Sequence, residues 1–163
     1  MRNRGEEAYS YFLEGYNCSQ AVVMAYRDFF PSHALSSILS LSSPFGGGMG
    51  RLREVCGTVS GAFIVLGSVY GFNVPGDGEK KKILYGKMQE FASLFEKENG
   101  SIICRDLLGL KGRSTPNPDE RTKEYYEKRP CPKLCLSSAS ILGEFLIKNG
   151  VLDEEGEIKK RKA

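Results

Sequence analysis

Apolar residues along this chain recur at steps of three and four, the spacing that lines one face of a helix, and the periodic segments are bounded by capping and stopping residues. No run alternates convincingly as a strand would. The pattern predicts a first helix over Glu6 to Glu14, ended by Gly15. Asn17 is a good N-cap for a second over Cys18 to Phe30, in which Val22, Tyr26 and Phe29 or Phe30 share a face before Pro31 stops it. A short helix around Ala34 to Leu41 leads into SSPFGGGMG, where Gly46, Gly47, Gly48 and Gly50 argue against any regular structure.

From Glu54 or Val55 to Tyr70 the chain is apolar and rich in small residues, among them Gly57, Gly61, Ala62 and Gly67. That composition predicts a central helix packed on most sides. After the turn VPGDG, an amphipathic helix over Gly78 to Glu98 carries Leu84, Met88, Phe91 and Phe95 at helical steps. Ser101 caps a short helix through Leu108, RSTPNPDE is a loop, and Glu120 to Glu127 is a polar turn. The last helix starts at Cys131-Pro132 and stops at Asn149-Gly150. The expected architecture is one all-α domain over residues 1–163, a bundle of about six to seven helices, with the basic tail 159–163 frayed.

At 163 residues the chain can bury a sizeable core and needs no disulfide staples. The start of the chain, with Glu6 and Glu7, does not resemble a secretory signal, and the longest apolar stretch, Ala62 to Phe72, is too short to span a membrane. A cytoplasmic protein with reduced thiols is expected. The net charge of +3 depends on the terminal lysines and gives no reason to expect nucleic acid.

The five cysteines change the picture. Cys18 follows a cap, Cys56 lies near a helix start, Cys104 is three residues after the cap Ser101, and Cys131 precedes Pro132. Unpaired N–H groups and the positive end of a helix favour an anion there, and a thiolate is such an anion, so lowered thiol pKa values are expected. Four such positions can form a redox or metal site; four buried packing cysteines fit the sequence as well. There is no C-x-x-C pair, and His33 is the sole histidine, which leaves an all-thiolate site suited to zinc or an iron–sulfur cluster. Cys131 and Cys135 form a C-x-x-x-C pair one helical turn apart that can share a metal or line a core face. GGGMG lacks the lysine of a P-loop; it can instead bring backbone N–H groups of Gly46, Gly47, Gly48 and Gly50 close to a sulfur.

The segments GYNCSQA at Gly15 to Ala21, GGGMG at Gly46 to Gly50, CGTVSGA at Cys56 to Ala62, then Cys104 and CPK at Cys131, closely resemble the bacterial and archaeal redox-active family named C_GCAxxG_C_C, from about Gly15 to Phe145. The resemblance implies four defining cysteines at Cys18, Cys56, Cys104 and Cys131, with Cys135 extra or an alternate, and Thr58 standing where the motif has alanine. A similar cysteine-bearing segment occurs in split-Soret cytochromes c, which hold an iron–sulfur centre, and this favours a cluster, [2Fe–2S] above others. The expected function is redox or electron transfer, with Gly57 and the glycine loop beside the group, an unidentified redox partner protein and a possible homodimer. Zinc, a metal-free thiol–disulfide couple and a structural or partner-binding helical module are the alternatives. No carboxylate pair or base constellation names an enzymatic reaction.

Overall fold

A computed structural model describes residues 1–160 and is all-α. Eight helices run in order among the described residues: α1 Arg4–Leu13, α2 Cys18–Ala25, α3 Leu35–Ser42, α4 Gly57–Tyr70, α5 Gly78–Asn99, α6 Cys104–Leu108, α7 Lys123–Lys128 and α8 Cys131–Lys148. The eighth element beyond the expected bundle is α7, where the polar turn closes into a helix capped by the Thr122 side chain. The second helix is shorter than its apolar pattern predicted. It ends at Ala25, and a 3-10 turn over Arg27–Phe29 carries Phe29 on toward the core.

α4 is the central helix its small residues predicted. Gly57, Thr58, Val59, Gly61, Ala62, Val65 and Leu66 are all buried, so the helix is covered on more than one face. A Cβ on Gly61 would lie 2.6 Å from the Ser19 carbonyl oxygen, inside any real contact distance. Glycine here lets the backbones of α2 and α4 touch, and it sets how near Cys18 and Cys56 can come. α8 closes the core from the other side, where Ser138 Oγ donates to Thr58 O at 2.8 Å and Tyr26 OH donates to Ala139 O at 2.7 Å.

The ends of the chain are tied by a buried cation. Arg4, 4% exposed, grips Asp28 with both guanidinium ends at 2.7 and 2.8 Å and donates to the carbonyls of Ala25 and Gly156. Such a charge is tolerable only because every donor direction has a partner. Lys159 N–H bonds Val151 O at 3.0 Å, so the first tail residue joins the closing turn; residues 161–163 lie outside the described residues.

No helix of the described residues is long and apolar enough to cross a membrane. Nor do they contain a strand, only two isolated antiparallel bridges. One of them, Val55 with Ile103, positions the site.

Candidate functional site

Cys18 opens α2 behind a full capping box. Asn17 Oδ1 accepts from Gln20 N at 3.0 Å, and Gln20 Oε1 accepts from Asn17 N at 3.2 Å. The same two side chains reach outward, Asn17 to Ser43 O at 2.9 Å and Gln20 to Leu39 O at 3.2 Å, fastening the start of α2 to the segment before the glycines. The cap therefore fixes Cys18 and the approach of the glycine loop in one step.

The loop itself is ordered, contrary to the expectation of irregular backbone. Gly47, Gly48, Met49, Gly50 and Arg51 all have φ between 65 and 69°, and Arg53 follows at 61°. Five consecutive left-handed residues make one turn of left-handed helix, closed by Gly50 N to Gly46 O at 3.0 Å and Glu54 N to Gly48 O at 3.0 Å. L-residues resist this conformation by roughly 1–2 kcal/mol each, which is why three of the five are glycine. The turn is also tightly fitted. A Cβ on Gly48 would meet Cys104 Cβ at 2.5 Å.

Residues after the turn pair antiparallel with the segment before α6. Cys56 N–H bonds Ile102 O at 2.8 Å, and Cys104 N–H bonds Glu54 O at 2.6 Å. This short ladder places two cysteines distant in sequence beside each other. Cys56 is the N-cap of α4, which starts at Gly57, slightly later than predicted; Cys104 is the first residue of α6, with Ile103 rather than Ser101 at the cap. Cys131 opens α8 after Pro130. Gly57 then completes the approach, since a Cβ there would lie 2.3 Å from Cys18 Sγ.

Cys18, Cys56, Cys104 and Cys131 line one cavity of about 210 Å³, with Gly46, Gly47 and Gly57 in its wall. Gly48 is packed behind it against Cys104, and Gly50 closes the turn without lining the cavity. Cys135 is fully buried in the core, its thiol directed to Cys18 O at 4.0 Å, and does not line the cavity. His33 is exposed and away from it. All five cysteines are free thiols, and no three metal-ligating side chains of the described residues stand close enough together to hold a single metal ion.

The expected lowering of the thiol pKa values does not occur at Cys18, Cys56 or Cys131. Burial pushes Cys18, Cys56 and Cys131 up, Cys131 to about 12. Helix-start donors act in the predicted direction, for a Gly47 backbone hydrogen bond opposes the rise at Cys18, as Thr58, 3.2 Å away, does at Cys56. They are outweighed because removing a thiolate from water costs more than one or two N–H or O–H donors return. Each of these cysteines also feels the others: Cys18 raises Cys56 and Cys131.

Sequence reading missed the cations. Arg51, Arg53, Arg121 and Arg129 share the cavity wall with a single carboxylate, Asp119. Arg53 donates Nη1 to Cys104 Sγ at 3.6 Å and Nε to Ser114 Oγ at 2.9 Å. No periodicity marks these residues, and the three elements that supply them meet only in the fold. Its proximity to Cys56 in LREVC was the one local signal for Arg53.

The family model described as "Putative redox-active protein (C_GCAxxG_C_C)" matches residues 16–145. Comparison with curated proteins and with solved structures gives no match.

Proposed function

The chain belongs to the C_GCAxxG_C_C family of redox-active proteins, and we propose that in it Cys18, Cys56, Cys104 and Cys131 ligate an iron–sulfur cluster, most simply [2Fe–2S], that transfers electrons. The observation that carries this reading is the sorting of the cysteines. Four, from four separate helix starts, line one cavity, while the fifth is turned into the core. Packing alone would not sort them so.

The residues fit such a group in donor type. Four thiols are the usual ligand set of a [2Fe–2S] cluster, two to each iron. Zinc also takes four thiolates, so metal and sulfide analysis separates the two. When bound, the cluster would supply a one-electron couple. The chain's own residues would do the rest. Gly47 N–H and Thr58 Oγ1 point at Cys18 and Cys56, and Arg53 at Cys104, each positioned to stabilise negative charge on sulfur. Leu134 and Phe12 add apolar surface to the cavity wall, which lowers the local dielectric and strengthens those contacts.

Purification without oxygen, followed by absorption spectroscopy and iron and sulfide analysis, tests the proposal. A coloured protein with sulfide and iron in cluster proportion is expected, and Cys56→Ser should lose most of both. A colourless, iron-free protein after reconstitution would refute it. Zinc in place of iron would assign a structural metal, and thiol counts that fall in pairs on mild oxidation of metal-free protein would assign a dithiol couple.

A further inference from the structure

The arginines of the cavity exceed what the protein provides to neutralise them. Arg51 and Arg129 share Asp119. Among the described residues neither Arg53 nor Arg121 has a carboxylate partner. Arg53 is only 4% exposed and bonds Ser114 Oγ and Cys104 Sγ, and none of its hydrogen bonds uses Nη2. Arg121 spends its donors on the carbonyls of Phe12 and Tyr16 and lies over the Phe12 ring, 4.2 Å from the centroid. A guanidinium cannot shed its proton, so burial without a counter-charge is a standing cost. Here Arg53 is buried and Arg121 half-buried, both held in place by neutral groups, at the wall of a cavity large enough for several waters on the ~10–15 Å³ scale of one.

We propose that this cavity binds a small oxygen-bearing anion, a carboxylate or a tetrahedral oxyanion, on Arg53 and Arg121 beside the four cysteines. The planar fork of a guanidinium matches two oxygens of such an anion, which a lysine ammonium would not. Asp119 ties Arg51 and Arg129 to each other and supplies their counter-charge. The concave wall concentrates the positive field where the anion sits. The site goes beyond the cluster reading and does not require it, because Arg121 bonds only neutral groups whatever the sulfurs hold, and Arg53 keeps Nη2 free even where Cys104 is a thiolate. Should the cysteines carry electrons, an anion here would lie within reach of them as substrate.

Calorimetric titration of the full-length protein with sodium sulfate and, separately, sodium malonate at fixed ionic strength tests this, first as purified without oxygen and then reduced and metal-free. Saturable one-site binding of at least one anion to the protein as purified is expected, with sulfate or malonate preference separating the two chemistries. Arg53→Lys and Arg121→Met should each weaken it about tenfold or more. Lys123→Met, which removes the same charge from a side chain 92% exposed, should leave it unchanged. Thermal melts accompany each variant, and if Arg53→Lys does not fold, Arg121→Met decides. Absence of saturable binding, or equal weakening by Lys123→Met, overturns the proposal. Binding confined to the metal-free form also overturns it, since the arginines would then serve the sulfur-bound group. Protein that is iron-free as purified and after reconstitution, yet binds the anion, would end the cluster reading and leave this one standing.

Discussion

At the scale of single residues, the site depends on atoms that are missing. Gly57 has ordinary helical geometry, so it is there for space alone: a methyl group would lie 2.3 Å from Cys18 Sγ and 2.9 Å from Phe45 O. Gly57→Ala should therefore push Cys18 out of the cavity wall and overpack the junction, at about 1–3 kcal/mol of stability, with loss of cluster assembly. Gly67 in the same helix provides the contrast, since nothing lies within 4 Å of a Cβ there. Gly67→Ala should stabilise by about 0.5–1 kcal/mol through helix propensity and unfolded-state entropy, and leave iron content untouched. Urea midpoints and iron content of the two variants, compared side by side, check both statements. A harmless Gly57→Ala would mean that Cys18 sits more loosely than the glycine packing implies.

Elements were readable from the sequence where they follow from local chemistry, and unreadable where tertiary contacts decide. Asn17 caps α2 as its residue type requires, and Gly100 ends α5 with a left-handed residue. The cysteines at helix starts were likewise visible before any fold was known. The pairing of residues 53–56 with 102–105 was not, because two or three bonds give no alternating pattern. The glycine segment was read as irregular for a sound reason, its cost in a right-handed helix; a left-handed turn removes that cost at glycine and leaves it at Met49 and Arg51. Met49 is 43% exposed, so replacing it also forfeits burial on the order of 1 kcal/mol. Relief of ~1–2 kcal/mol of strain against that loss and ~0.5–1 kcal/mol of added unfolded-state entropy makes Met49→Gly close to neutral, where an unstrained Met→Gly change would cost more. Thermal unfolding measures this directly, and a destabilised variant would show that the Met49 side chain packs more usefully than its exposure implies.

For the molecule as a whole, the buried thiols convert the cavity into a pH-dependent stability. Cys18, Cys56, Cys131 and Cys135 all have pKa values raised in the fold, first by burial and then by one another, and burial raises Tyr26 as well. In the unfolded chain a thiol ionises near 8.5. Below that pH both states are protonated and the full stability is present. Above it the unfolded chain sheds protons that the folded metal-free protein retains, so stability falls as pH rises toward the folded values. Each such thiol adds a slope of up to roughly 1.4 kcal/mol per pH unit. Between pH 7.5 and 9.5 the urea midpoint of reduced, metal-free protein should drop markedly. Cluster-loaded protein would behave otherwise, because ligation would already have removed the protons from Cys18, Cys56 and Cys131, and binding to thiolate would strengthen with pH. Cys135, joined above about pH 10 by Tyr26, Tyr70 and Tyr125, would then carry the alkaline loss, and the two curves should separate above pH 8.5. Curves that stay parallel would mean that the group counted as bound is not held by these sulfurs.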